Sequence, residues 1–229
     1  MRNFTLMILA AGLGTRMESL TKNIPKPLLK IKNSTLITNT INFFENLGCN
    51  KFIINTHYLH ENFIDYINLK HSKKNIYLIY EPKILDTVGG VKNSIKYFDS
   101  KNFLVTNADI YWDENNINDV NNFIDIIDQF ESYFLLLSDQ KNTFGIERSY
   151  GDFVIHNDYV RRWMKRDHVI FFSGLQILNP KIFENFESNK FSMNKIWDKL
   201  IFEKQLKAKI MNSKLYHIGD KKTFNKIKP

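Results

Sequence analysis

A single cysteine, five prolines and no long apolar run mark what this 229-residue chain cannot be. With Cys49 alone there is no internal disulfide and no cysteine zinc cluster. No apolar run approaches the ~20 residues that cross a bilayer. The apolar start, "FTLMILAAG", is short for a secretory signal and has only Arg2 as a charged leader. A soluble cytoplasmic protein with no membrane partner is expected. The nine glycines are not gathered into a linker, and there is no internal repeat or low-complexity segment.

A hydrophobic fraction of 43%, with 14% aromatics, supplies a sizeable core, and the length suits one domain over residues 1–229. The formal charge of +8 suits an anionic partner: nucleic acid, a membrane surface or a phosphorylated small molecule. Lysine and asparagine are spread along the whole chain, as at Lys73, Lys74 and Asn75, so the charge reads as general solvation. The basic stretch Arg161, Arg162, Lys165 and Arg166 around Trp163 reads as a solvated ribbon, and no nucleic-acid partner is expected.

The hydrophobic pattern alternates between strand and helix. Phe4 to Leu9 is a continuously apolar strand; Leu36, Ile37, Ile41, Phe44 and Leu47 recur at helical spacing before Gly48. "KFIINT", "IYLIY", "FLVTNAD" and "YFLLLS" are further strands, separated by helices over Leu59–Ile67, around Val91–Tyr97 and over 117–130. The second half adds a hairpin, "GDFVIHNDYVRRWMK" with a turn at Asn157-Asp158, the strand "VIFFSGLQIL", and helices from about Pro180 and Met193. Strands apolar throughout, alternating with helices, indicate an α/β fold: a Rossmann-like, mostly parallel sheet sandwiched by helices, with small strand-rich insertions.

Ligands of open parallel sheets bind beyond the carboxyl ends of the strands. "LAAGLGTRM", residues 9–17, lies at that end of the first strand. Glycines at 12 and 14 let backbone amides approach an anion, Arg16 offers a planar charged fork, and Lys26 a mobile ammonium. Pro25 and Pro27 hold the backbone around Lys26 extended. The Walker pattern is absent, and Met17 stands where a dinucleotide fingerprint needs a small residue. A tight turn explains either glycine taken singly; loop and lysine together point to phosphate.

"LAAGLGTRM" followed by "PKPLL" closely resembles the signature of the sugar-1-phosphate nucleotidyltransferases, and the likeness runs on through "EPKILDTVGGV", "VTNADIYWD" and "FFSGLQILNPKIF". The resemblance implies transfer of a nucleoside monophosphate from a triphosphate to a sugar 1-phosphate, with release of pyrophosphate. It divides the chain into a nucleotide-binding half, about 1–115, and a sugar-phosphate-binding half, about 116–229. Length and the order "GDF … FSG … NPKIF" look most like the single-domain uridylyltransferases acting on N-acetylmuramate 1-phosphate. Mannose-1-phosphate guanylyltransferases and glucose-1-phosphate thymidylyltransferases share most of the motifs, and a choline-phosphate cytidylyltransferase shares the glycine loop. A nucleotide-sugar-binding protein without catalysis stands outside the enzyme class. A monomer or homodimer is expected.

By the same resemblance, Ala10, Ala11, Gly12, Gly14, Thr15, Arg16 and Lys26 meet the nucleotide. Thr87, Gly89 and Gly90 read the base, the glycines preceding a helix so that bare backbone can lie against it. Asn107, Asp152, Ser173 and Gly174 meet the sugar phosphate, with Asp152 equally readable as a hairpin-turn acid. Arg16, Lys26 and Asp109 are the catalytic candidates. Asp109 ends an apolar strand, where a carboxylate facing a crevice needs a pairing cation or a metal such as Mg²⁺. The family's second aspartate, in a pattern like W-x-D-V-G-T, meets "LYHIGDKKTF" here, which puts His217 at the ligand position and Asp220 three residues on. Imidazole binds Mn²⁺, Co²⁺ or Zn²⁺ more readily than Mg²⁺, so His217 as a ligand would shift metal preference; a structural histidine is the alternative.

Overall fold

Continuously apolar strands need cover on both faces, and the chain supplies it with helices from alternate crossovers. The computed structural model describes residues 3–98, 101–127, 133–156, 159–184 and 192–227. The central sheet has seven strands: β1 (Phe4–Leu9), β2 (Cys49–Thr56), β3 (Ile76–Tyr80), β4 (Phe103–Asn107), β5 (Tyr133–Asp139), β6 (Ile170–Leu178) and β7 (Leu206–Met211). Their order is β7-β5-β6-β4-β1-β2-β3. β4, β1, β2 and β3 pair in parallel, as do β5 and β7, while β6 runs antiparallel to both β4 and β5. The sheet is mostly parallel, with β1 near its middle.

Side chains alternate across each strand. Leu6, Ile8, Leu104 and Leu136 enter a core with α1 (Leu36–Asn46), α2 (His60–His71) and α4 (Ile117–Ile124). Met7, Val105, Leu135 and Leu137 enter a second core with α3 (Asp86–Ser94), α5 (Met193–Phe202) and the hairpin. The hydroxyl of Thr35 caps α1 by accepting from the Thr38 amide at 3.2 Å. A third, small core joins Met17, Leu29, Ile31, Leu36, Ile218 and Phe224. It gathers the glycine-loop region, the "PKPLL" segment, α1 and α6 (Lys221–Ile227) beneath one end of the sheet.

Several elements differ from the sequence expectation. The helix expected around Val91–Tyr97 begins at Asp86 and ends at Ser94, with a 3-10 turn over Ile95–Tyr97, so Gly89 and Gly90 lie inside it rather than before it. Lys26 begins a 3-10 turn, Lys26–Leu28; only Pro25 keeps the extended backbone expected there. The segment from Pro180 is a 3-10 turn, Pro180–Phe183. The strands Phe153–His156 and Tyr159–Arg162 pair as a hairpin, and the expected turn at Asn157-Asp158 lies outside the described residues, as do residues 128–130 of the expected helix over 117–130. Three short strands, Ile110–Tyr111, Thr143–Phe144 and Leu215–His217, form a separate small sheet with the last in the middle. Strands of two or three residues have no periodicity to read, and these pair across long stretches of chain.

Among the described residues no helix is long and apolar enough to cross a membrane. Cys49 is 3% exposed at the start of β2, and burial pushes its thiol up to about 12. Since the thiolate is the reactive form, Cys49 reacts with a disulfide reagent at pH 8 only as fast as the fold opens. Labelling kinetics across a urea series should follow global unfolding; labelling of the native protein at a free-thiol rate would contradict this packing.

Candidate active site

β1 and β4 lie side by side and end together, at Leu9 and Asn107, so the loops that follow them share one crevice. After β1 the chain turns at Gly14, whose φ of 66° is left-handed and whose carbonyl accepts from the Met17 amide at 2.9 Å and the Thr21 hydroxyl at 3.0 Å. A Cβ on Gly14 would stand 3.1 Å from the Lys26 Cβ. Met17 is fully buried in the third core. The residue that spoils a dinucleotide fingerprint thus anchors the loop. At Gly12 a Cβ would meet nothing within 4 Å, so this glycine leaves open space rather than relieving a clash.

After β4, Asp109 turns its carboxylate into the crevice. Lys26 Nζ donates to Asp109 Oδ2 at 2.8 Å, and the Gly219 carbonyl lies 3.5 Å from the same ammonium. The small sheet brings in His217: it pairs with Ile110, the Ile218 amide donates to the Asp109 carbonyl at 2.8 Å, and His217 Nε2 stands 3.4 Å from Asp109 Oδ2. Burial would raise the Asp109 carboxyl, but the Lys26 ammonium and His217 outweigh it and hold the group well below the usual carboxylate range. Burial would lower His217, and the facing Asp109 outweighs it, leaving the imidazole above its ordinary value.

Two cavities meet at this cluster. One, of about 460 Å³, is lined by Ala10, Gly12, Gly14, Thr15, Arg16, Lys26, Ile84, Asn107 and Asp109. The other, of about 630 Å³, is lined by Arg16, Asn107, Arg148, Asp152, Phe172, Gly174, Asn194, Trp197 and His217. Arg16 and Asn107 line both, and Asp109 and His217 face each other across the junction. Arg16 is exposed and makes no hydrogen bond or salt bridge with described residues, so its guanidinium is available to an anion.

The structure therefore gathers Ala10, Gly12, Gly14, Thr15, Lys26 and Asp109 on one side, Asp152, Gly174 and His217 on the other, and Arg16 and Asn107 between. Others of the expected set stand elsewhere. Ala11 is buried and lines neither cavity. Ser173 is fully buried, its hydroxyl accepting from the Leu175 amide at 3.3 Å, in a stretch where the pairing of β6 with β5 shifts register. Thr87, Gly89 and Gly90 line neither cavity; a Cβ on Gly90 would lie 2.5 Å from Asn55 Nδ2 and 2.7 Å from Glu81 Oε1. A buried side-chain pair by itself leaves no room for a Cβ there. Asp152 ties its hairpin to β6, its carboxylate accepting from Arg148 at 2.7 Å and from the Phe172 amide at 3.0 Å, and it still lines the second cavity.

The sequence reading passed over Arg148, Asn194 and Trp197. Asn194 and Trp197 are three residues apart on α5 and thus share a face, which was the available signal. Trp197 is fixed by Gln176, whose side-chain oxygen accepts from the indole at 3.0 Å. Asp220 caps α6 through the Thr223 amide at 2.8 Å and lines the second cavity rather than facing Asp109. Among the described residues no three His, Cys, Asp or Glu side chains converge as a metal cluster. The residues nonetheless fit a cation held jointly with a ligand: Asp109 Oδ1 accepts no hydrogen bond from the described residues, and His217 Nδ1 lies 3.3 Å from the Gly145 carbonyl. With an ion between them, the imidazole would be neutral, Nδ1 donating to that carbonyl and Nε2 turning its lone pair to the ion.

Comparison with known proteins identifies the family. The nucleotidyl transferase family model matches residues 5–157. The N-acetylmuramate alpha-1-phosphate uridylyltransferase of Caulobacter vibrioides is 23% identical over 221 residues, covering 93% of this chain and 91% of that protein. The choline-phosphate cytidylyltransferase of Streptococcus pneumoniae is 40% identical, but over 80 residues, 35% of this chain and 33% of that protein. Among solved structures, HddC from Yersinia pseudotuberculosis complexed with GMP-PN has a TM-score of 0.78 and 25% identity, covering 98% of this chain and 97% of that one. On the strength of the family match over residues 5–157, which spans the loop, Lys26 and Asp109, this chain belongs to the nucleotidyl transferase family.

Proposed function

We propose that the protein transfers a nucleoside monophosphate from a nucleoside triphosphate, with UTP favoured, to a sugar 1-phosphate, with N-acetylmuramate 1-phosphate favoured. The products are an NDP-sugar and pyrophosphate. The observation that carries this is the meeting of two cavities at Lys26, Asp109 and His217, with Arg16 on both sides. In this reading the half over residues 1–115 takes the triphosphate in the first cavity. The half over 116–229 takes the sugar phosphate in the second, and the reacting phosphates face each other at the junction.

A phosphate oxygen of the acceptor attacks the α-phosphorus; that P–O bond forms as the α–β bridging P–O bond breaks, and pyrophosphate leaves. The attacking phosphate is ionised at neutral pH, so no general base is needed, and positioning with charge neutralisation carries the rate. Lys26 holds the α-phosphoryl and acceptor oxygens. Arg16 and the loop amides at Gly12 to Thr15 hold the departing pyrophosphate. Asn107 and Asp152 orient the sugar beside Gly174, and Ala10 shapes the nucleotide side. Thr87 and Gly89 carry no assigned contact in this account. A divalent ion, Mg²⁺ or through the imidazole Mn²⁺ or Co²⁺, would be held by Asp109 and His217 and would neutralise phosphate charge there.

UTP and N-acetylmuramate 1-phosphate are favoured because the uridylyltransferase likeness runs over most of both chains, whereas the cytidylyltransferase likeness covers about a third. The HddC complex with GMP-PN supports a second reading, guanylyl transfer. Pyrophosphate release from UTP, GTP, dTTP and CTP against N-acetylmuramate, glucose and mannose 1-phosphates decides between them. Turnover of GTP with mannose 1-phosphate and none of UTP would replace the first reading by the second. Nucleotide binding without release in any pair would leave a nucleotide-sugar-binding protein.

Four substitutions test the assignment of parts. Lys26→Ala should lower turnover by about 10²–10³-fold with circular dichroism unchanged; activity within threefold of wild type would remove Lys26 from the chemistry. His217→Ala should change the relative activities with Mg²⁺, Mn²⁺ and Co²⁺, and identical profiles would take the imidazole away from the ion. Gly14→Ala should cost roughly 1–2 kcal/mol in urea unfolding because of its left-handed φ. Gly12→Ala should leave stability unchanged and weaken triphosphate binding; an equal loss of stability at both positions would make Gly12 a fold glycine.

A further inference from the structure

Glu81 and Asn55 are 1% and 3% exposed, and nothing in the proposed chemistry uses them. A buried carboxylate needs its lone pairs satisfied, and here both oxygens are used. Asn55 Nδ2 donates to Glu81 Oε1 at 2.7 Å, and the Leu85 amide, at the entrance to α3, donates to Glu81 Oε2 at 3.2 Å. The other end of the Asn55 amide is engaged as well: the Ala10 amide donates to Asn55 Oδ1 at 2.9 Å. The chain of bonds thus runs from the first residue of the phosphate loop, through two buried side chains, to the turn Glu81–Leu85. Ala10 at one end, and Ile84 next to Leu85 at the other, both line the first cavity. Gly90 on α3 lies against both side chains, with no room for a Cβ.

We propose that Asn55 and Glu81 are positioning residues: a buried polar relay that fixes the Ile84 wall of the first cavity against the phosphate loop and thereby sets nucleotide affinity. The proposal rests on the reading that this cavity takes the triphosphate. A hydrogen-bonded tie holds a separation that apolar contact between the same segments would not, because each donor meets its acceptor only within a narrow range of distance and angle. The polarity of the relay is also fixed. Ala10 and Leu85 both donate inward, so the pair between them must present one acceptor to each amide and still bond to one another. Amide at 55 with carboxylate at 81 satisfies this. Carboxylate at 55 with amide at 81 satisfies it equally.

That equivalence gives the test. Glu81→Gln sets two donors against one remaining acceptor, and Asn55→Asp sets two carboxylates face to face; the double variant restores every bond with the direction of the middle one reversed. Binding of UTP, GTP, dTTP and CTP is measured by titration calorimetry without acceptor, together with amide hydrogen exchange at Ala10 and Leu85. We expect each single variant to weaken the preferred triphosphate at least tenfold and to lose protection at both amides. The double variant should return affinity to within threefold of wild type and restore protection. Gly90→Ala, which wedges the pair apart, should weaken binding as the singles do. Should a single variant fail to fold, the double variant alone decides, since a packing role gives no reason for two destabilising polar changes to cancel. Wild-type affinity in the single variants, or a double variant no better than either, would overturn the relay. Failure of the wild type to bind any of the four would instead overturn the triphosphate reading, and the relay's role with it.

Discussion

The half-buried carboxylate of Asp109 imposes the demand that organises this end of the molecule. It sits at the end of an apolar strand, where withdrawal from water disfavours its charge, and the chain answers with cations from far away in sequence. Lys26 is 83 residues distant, and its ammonium also lies near a carbonyl 193 residues on. Leaving such a charge without its partner costs several kcal/mol where burial is deep. Held together, the cluster obliges the strand Leu215–His217 to pair with Ile110–Tyr111, and that pairing carries Ile218 and Phe224 into the third core beside Met17. The electrostatic contact and the small apolar core therefore require one another: the core sets the reach of the loop and the tail, and the ion pairs set their register.

The sheet beneath explains why this cluster can be rigid while its surroundings remain open. β1 and β4 are bonded to neighbours on both sides and covered by helices on both faces, so their ends are fixed points. Substituents at fixed points hold geometry better than substituents on loops. The loop residues themselves, Gly12 to Arg16, carry little packing and project donors outward. Gly14 and Met17 bind them down, one by backbone conformation and one by burial.

Most strands and the position of the loop were legible in sequence because both depend on local signals: continuous apolar runs, helical spacing in α1, glycines directly after a strand. "IYLIY" at Ile76–Tyr80 forms as read. What was not legible depends on distance. Nothing around Leu215 announces a strand, because its partners lie at Ile110 and Thr143. Asn55 and Glu81 look like ordinary polar residues at strand ends until the strands are placed side by side. Trp197 reads as one more apolar position of an amphipathic helix, and only the neighbouring hairpin and β6 turn it toward a cavity.

Under the proposed reading, an imidazole at position 217 takes the place of the second carboxylate that the family resemblance implies, which has a consequence for the charge of the site. Two carboxylates around a divalent cation sum to zero; one carboxylate and a neutral imidazole leave a net positive charge, before Lys26 and Arg16 are added. Such a site attracts phosphates more strongly and holds a free cation less strongly. Under the proposed reading, the ion and the triphosphate then bind together, each supplying the charge that the other needs, since hard cations take phosphate oxygens where protein carboxylates are few. Lys26 and His217 occupy Asp109 between them, and an ion bound there would take over that pairing and free the ammonium for phosphate oxygens.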